Sequence, residues 1–192
     1  LRLHATGCYS SRSQLKRRDR QAEQLAHAAE RAAAIAHSLG TRPADRERLR
    51  EAGLRILAHE MHDDLTGTSL VEAYRYSAQD LALSLNDLRQ EPAEAVGAVA
   101  TTLDRTTAGT PLVVFNALGW ERIDLVEIEL AGPAAPTGPL AVFDPEGREV
   151  PSQWHREGEK WRGCFVSGFP SLSFSLFDVR TSVAPAAPAA SE

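Results

Sequence analysis

The spacing of apolar residues changes once along the chain, near Thr110. Before that residue, apolar positions recur at steps of three and four, which is the period of an amphipathic helix. After it, much of the segment 123–130 alternates between apolar and acidic side chains, which is the two-residue period of a strand. This division predicts an α+β fold, in which a three-helix bundle is followed by the first strands of an antiparallel β-sandwich.

Three segments follow from the change of period and from composition. Residues 1–108 are expected to form the helical bundle, and residues 109–181 a partial β-sandwich domain. Residues 182–192 are rich in alanine and proline, a composition typical of a disordered tail or linker. With 192 residues, the chain is long enough to bury a core in each of two modest domains.

The predicted helix starts are residues with capping or first-turn preferences: Ser11 or Ser13 for the first helix, Pro43 for the second and Ser69 for the third. Ser69 is followed three residues later by Glu72, which is the capping-box pattern. The second helix is expected to end around 64–67. Pro92 is expected to break or kink the third helix, since proline lacks the backbone N–H that a helix interior uses.

Composition excludes several classes of protein. The net charge of -5 is mild, and the one basic run, residues 16–20, is interrupted by Asp19, so a solvated helix face is predicted and no nucleic-acid partner is expected. Cys8 and Cys164 are the only cysteines, which favours free thiols in a reducing compartment and a cytoplasmic location. No stretch approaches the roughly 20 apolar residues of a membrane span, so no membrane partner is expected.

Imidazole and carboxylate side chains are concentrated in residues 59–68. On one continuous helix, His59, His62 and Asp63 would share a face and could converge on a metal ion such as zinc. The two histidines are one residue closer than in the zincin pattern, which disfavours a self-contained metalloprotease site. The alternative is that both histidines are structural and lie in a last helical turn. Acids there oppose the helix dipole, however, and such local conflict is typical of functional sites.

Three ordered segments resemble one known family. The segment HDDLTGT at 62–68 resembles the His-Asp-x-hydrophobic-(Thr/Pro/Ser)-Gly-Thr signature of the glycoside hydrolase family 38 α-mannosidases. The segment GCYSSR at 7–12, with the basic residues that follow it, resembles the family's entry into its middle three-helix domain. The segments LVVFN and LGWER within 112–122 resemble the start of its C-terminal β domain.

The resemblance implies a zinc-dependent, retaining α-mannosidase that hydrolyses terminal α-D-mannosides. One zinc ion would be shared between the N-terminal α/β catalytic domain and the middle domain, and the matching middle-domain ligand is His62. Asp63 matches an acid that contacts sugar hydroxyls. Tyr9 is a second candidate for substrate contact, with packing at a domain interface as its alternative. The nucleophile and the acid/base residue belong to the α/β domain, so no catalytic residue and no hydrolase activity are expected in this chain.

Two positions depart from the family pattern. Met61 stands where many members have a second histidine, and Ala5 where some relatives place an aromatic residue that stacks on the sugar. A rival interpretation needs no catalysis. In it, a helical interaction module is joined to a β-sandwich that binds carbohydrate or protein, and the residues from His59 to Asp64 are an ordinary helix end.

Overall fold

Five helices precede seven strands in residues 6–131 and 138–181, which are the residues that the computed structural model of the chain describes. The predicted α+β class is confirmed. The chain divides into two units between Thr102 and Leu103, a few residues before the boundary predicted at 108. Ala5 and the predicted tail at 182–192 lie outside the described residues.

The first unit is a bundle of three long helices with two short ones beside them. The helices are α1 (Thr6–Ser10), α2 (Ser13–Ser38), α3 (Arg46–His59), α4 (His62–Thr66) and α5 (Val71–Ala100). Helices α2, α3 and α5 pack against one another in all three pairs. Ala22, Ala29 and Ala52 are fully buried in their shared core beside Leu81 and Leu88. Small side chains on α2 and α3 let these helices approach α5 closely, as the alanine-rich sequence suggests.

Both predicted serine caps are wrong. Helix α2 begins at Ser13, but its N-cap is Arg12 in a left-handed conformation, and no side chain caps it. Helix α5 begins at Val71, and its N-cap Leu70 provides no side-chain cap either. The N-cap is therefore one residue later than the capping-box pattern predicts. Ser69 Oγ donates to Asp64 Oδ1 at 2.6 Å.

The second helix starts later than Pro43 predicts. Asp45 is its N-cap, and Asp45 Oδ1 accepts a hydrogen bond of 3.0 Å from the Arg48 backbone N–H. Pro92 does not break α5, which continues through it to Ala100. Buried side chains on both sides of the proline, Leu88 and Ala95, supply the tertiary packing that outweighs the missing hydrogen bond.

The second unit consists of two antiparallel sheets around one apolar core. The strands are β1 (Thr110–Phe115), β2 (Arg122–Leu130), β3 (Leu140–Phe143), β4 (Glu149–Val150), β5 (Ser152–Glu157), β6 (Lys160–Phe169) and β7 (Phe174–Thr181). One sheet has the order β1-β7-β3-β4 and the other β2-β6-β5. Phe165 and Phe169 of one sheet meet Phe177 of the other at ring-centroid distances of 4.8 and 6.0 Å. All seven strands lie within residues 109–181, the segment predicted to form a partial β-sandwich domain.

Asn116 connects β1 to the turns at one end of this unit. Its Nδ2 lies 3.0 Å from the Trp120 carbonyl oxygen and 2.7 Å from that of Pro170, and its Oδ1 accepts from the Leu118 N–H at 3.1 Å. Asn116 is buried, so these bonds satisfy backbone groups that water does not reach. None of the described helices is both long and apolar enough to cross a membrane.

Candidate functional site

The predicted helix through the His–Asp segment is interrupted. Helix α3 ends at His59, the chain bends at Glu60 and Met61, and the short helix α4 begins at His62. His59, His62 and Asp63 therefore do not share one helix face. The two acids, Asp63 and Asp64, lie in the first turn of α4, where the helix dipole favours negative charge. The expected conflict with the dipole does not exist, because the acids open a helix rather than close one.

Asp64 is buried and accepts hydrogen bonds from three other parts of the unit. Its Oδ2 lies 2.8 Å from His59 Nδ1 at the end of α3 and accepts from Ser77 Oγ of α5 at 2.8 Å. Its Oδ1 accepts from Ser69 Oγ, in the segment before α5, at 2.6 Å. The second imidazole nitrogen of His59 lies 3.1 Å from Asp80 Oδ2, so the histidine connects two carboxylates. His59 is thus half-buried and held at both nitrogens, as its structural interpretation predicts.

The pKa values of this pair reflect burial opposed by hydrogen bonding. Burial disfavours the charged form of His59, but its hydrogen bonds with Asp64 and Asp80 raise its pKa above the ordinary 6.5. Burial also disfavours the charged form of Asp64, but hydrogen bonds from Ser69, His59 and Ser77 lower its pKa below the ordinary 3.8. At about pH 6 the two side chains therefore form an imidazolium–carboxylate pair.

His62 and Asp63 lie on the solvent side of the same turn. The side chain of His62 is 83% exposed and that of Asp63 is 50% exposed, and His62 Nε2 lies 3.4 Å from Asp63 Oδ2. Among residues 6–131 and 138–181, no three His, Cys, Asp or Glu side chains are placed together to hold a metal ion. His62 is therefore an accessible imidazole with a carboxylate beside it, and the described residues do not form a complete metal site.

A left-handed glycine closes the turn that presents these side chains. Gly67 has a φ of 89°, and the N–H groups of Thr68 and Ser69 both donate to the Asp63 carbonyl oxygen at 3.0 Å. Ser11 Oγ donates to the Thr66 carbonyl oxygen at 2.8 Å. This contact joins the 7–12 segment to the 62–68 segment, a relationship that no local sequence pattern revealed.

Tyr9 and Met61 are both exposed within the first unit. Tyr9 belongs to α1, which packs against α4, so its ring and the His62 side chain lie on neighbouring short helices. The structure therefore pairs the side chains of His62 and Asp63 and places Tyr9 on the neighbouring helix.

Asp19 of α2 was predicted to lie on a solvated face, and that prediction is wrong. Its side chain is only 6% exposed, and its Oδ1 has no hydrogen-bond partner among the described residues. Burial, followed by the nearby charges of Glu60 and Glu23, raises the pKa of Asp19 to about 6. The neighbouring residues Arg17, Arg18 and Arg20 are exposed, so the charged composition of this segment gave no signal that Asp19 is buried.

Residues 3–98 match the family model described as the α-mannosidase middle domain, and this range contains both the 7–12 and the 62–68 segments. The chain belongs to the glycoside hydrolase family 38 α-mannosidases. The family predicted from the sequence is therefore confirmed. The human epididymis-specific α-mannosidase is 27% identical over 197 residues, an alignment that covers 91% of this chain and 18% of that protein.

Solved structures share the fold of this chain. A glycosyl hydrolase family 38 protein from Enterococcus faecalis superposes with a TM-score of 0.73 at 18% identity, covering 97% of this chain and 26% of that one. An α-mannosidase from Enterococcus faecalis V583 superposes with a TM-score of 0.71 at 18% identity, covering 93% and 24%. The chain thus spans about a fifth to a quarter of the length of these relatives.

Proposed function

We propose that this chain supplies the middle helical domain and the first β strands of a zinc-dependent, retaining α-mannosidase, and that His62 is one ligand of its zinc ion. The observation that carries the proposal is the exposed His62–Asp63 pair on α4, a short helix that is hydrogen-bonded to α3 and α5 through Asp64. An exposed imidazole with a neighbouring carboxylate is a suitable metal ligand, and it leaves the remaining coordination positions to groups from an N-terminal α/β catalytic domain.

Each residue has a separate role in this proposal. His62 would hold the metal through a ring nitrogen, and Asp63 would accept hydrogen bonds from hydroxyl groups of a terminal α-D-mannoside. Tyr9 would offer an apolar face to the same sugar. Bound zinc would supply Lewis-acid contact with sugar hydroxyls. The nucleophilic carboxylate and the acid/base carboxyl of a retaining glycosidase would come from the catalytic domain.

The proposal is tested by His62→Ala in the complete enzyme that includes the catalytic domain. We expect loss of bound zinc by metal analysis and loss of turnover of an aryl α-mannoside, because a three-ligand site binds zinc far more weakly. His37→Ala is the matched control, since His37 is an exposed histidine in the last turn of α2, and it should leave both measurements unchanged. Normal zinc content and rate in His62→Ala would contradict the proposal and favour the non-catalytic interaction module.

The 192-residue chain alone provides a second test. One imidazole and one carboxylate cannot close a tetrahedral zinc site, so we expect only weak zinc binding by isothermal titration and no hydrolysis of the aryl α-mannoside. Tight binding of one zinc ion per chain would show that the described residues form a complete site.

The cytoplasmic location expected from the two cysteines stays a prediction. Both Cys8 and Cys164 are free and half-buried.

A further inference from the structure

Helix α4 is too short to hold its own orientation. It contains five residues, His62–Thr66, which is little more than one turn, and a single turn of helix is unstable in isolation. Helix α1 and the Ser11 hydroxyl contact α4. The remaining contacts that set the direction of His62 are those between α4 and the long helices.

Those contacts converge on Asp64. Donors from the end of α3, the segment before α5 and α5 itself meet its two carboxylate oxygens: His59 Nδ1, Ser69 Oγ and Ser77 Oγ, at 2.6 to 2.8 Å. Tyr74 of α5 adds a fourth contact, because its hydroxyl donates to the carbonyl oxygens of Asp63 and Asp64 at 3.2 and 3.3 Å. Charge-assisted bonds to a buried carboxylate are among the strongest polar contacts in proteins, so this set outweighs any local helical preference.

We propose that Asp64 is a positioning residue, which fixes α4 on the bundle and thereby sets the direction of the His62 and Asp63 side chains. His59 supports it, since the contact of its other nitrogen with Asp80 of α5 fixes the imidazole plane. The expected effect on metal binding rests on the proposed function of His62. The expected effect on the position of α4 is independent of that proposed function.

Two serines of α5 provide a matched pair of variants. Ser77 and Ser84 are both fully buried. Ser77 Oγ lies 2.8 Å from Asp64 Oδ2 and 3.0 Å from the Ala73 carbonyl oxygen of its own helix, and the carboxylate is the stronger acceptor. Ser84 Oγ donates to the Ala52 carbonyl oxygen at 3.2 Å. Both become alanine by loss of one oxygen atom, and both keep α5 helical. A general loss of bundle stability would affect the two variants alike, whereas loss of α4 positioning is expected only from Ser77→Ala.

Hydrogen exchange on the 192-residue chain measures α4 directly. The amides of Leu65 and Thr68 donate to the carbonyl oxygens of Met61 and Asp63 within this turn. In Ser77→Ala and Asp64→Ala we expect these amides to exchange about 5- to 10-fold faster, and in Ser84→Ala at the wild-type rate. Asp64→Asn keeps one acceptor oxygen and should give an intermediate rate. Wild-type exchange in both Ser77→Ala and Asp64→Ala would overturn the positioning role.

Zinc affinity in the complete enzyme tests the functional consequence, with a chelator competing for the metal. We expect Asp64→Ala and Ser77→Ala to weaken zinc binding on the order of 10-fold, with no change in Ser84→Ala. Unchanged zinc affinity alongside faster α4 exchange would overturn the consequence for metal binding. If His62→Ala itself retains zinc, the proposed function has failed, and the exchange rates of Leu65 and Thr68 still decide the positioning of α4.

Discussion

Glu91 Oε1 accepts a hydrogen bond of 2.6 Å from Arg42 Nη1, and no part of the Glu91 side chain is exposed. Arg48 Nη1 lies 3.2 Å from the other oxygen, so two guanidinium groups enclose one carboxylate. These contacts tie the α2–α3 connection and the first turn of α3 to α5, directly before Pro92. A buried charge in such a position is tolerated only because it is paired.

Glu91→Ala should therefore destabilise the helical unit by about 3 kcal/mol, since it removes the buried acceptor of two partly buried arginines and leaves them paired with the more exposed Glu94. Urea unfolding followed by far-UV circular dichroism measures this, because the signal is dominated by the helices. Glu51→Ala is the control. Glu51 forms an exposed pair with Arg50, and its removal should cost at most about 1 kcal/mol. Equal costs in the two variants would contradict the role assigned to the buried pair.

Asp19→Asn should stabilise the chain at neutral pH. Asp19 is buried without a full set of partners, and its pKa rises from 3.8 to about 6 in the folded state. A raised carboxyl pKa means that folding favours the protonated form. The resulting destabilisation is absent below 3.8, develops as the pH rises through about 6 and is complete above it. Above pH 6 the gain from Asp19→Asn should approach, and not exceed, about 3 kcal/mol.

The measurement for Asp19→Asn is the urea midpoint at about pH 4 and about pH 7.5, with the gain confined to the higher pH. Glu30→Gln changes an exposed acid on the same helix and should show no such difference between the two pH values. A gain from Asp19→Asn of the same size at both pH values would show that its charge is not the cause.

Gly67→Ala should destabilise the helical unit by about 1–3 kcal/mol, because an alanine at a φ of 89° is strained. Its Cβ would also collide with Ser11 Oγ and lie 2.9 Å from Ser11 Cβ. Gly53→Ala provides the opposite case, since a Cβ there meets nothing within 4 Å in the middle of α3. It should stabilise by about 0.5–1 kcal/mol. Thermal unfolding of the two variants should shift the midpoint in opposite directions.

Asn116→Asp should destabilise the second unit by about 3 kcal/mol, because an oxygen would replace the Nδ2 group that faces the carbonyl oxygens of Trp120, Phe169 and Pro170. All three tryptophans of the chain lie in this unit, so tryptophan fluorescence follows its unfolding separately from the helices. Asn86→Asp makes the same change at an exposed position of α5 and should leave the fluorescence transition in place.

The sequence predicted well what depends on periodicity. The helical stripe, the alternating strands and the change near Thr110 reproduce the two units, because each element has one face that must be buried. It predicted helix ends poorly. Ser69 matches a cap in the sequence, but the helix begins one residue too late for Ser69 to be its N-cap. The Ser69 hydroxyl donates to Asp64, which is itself held by contacts with α3 and α5, and a local pattern does not contain those contacts.

The same distinction applies to the candidate site. The residue types of 62–68 and their resemblance to a family determined which histidine and acid to consider, and the family is confirmed. The tertiary structure decided how they are arranged: the break between His59 and His62 turns the first inward and leaves the second exposed, while Asp64 faces the bundle. That arrangement depends on the Asp64 bonds to α3 and α5. These bonds join residues up to 13 positions apart on different helices, and the apolar periodicity of one helix does not predict such contacts.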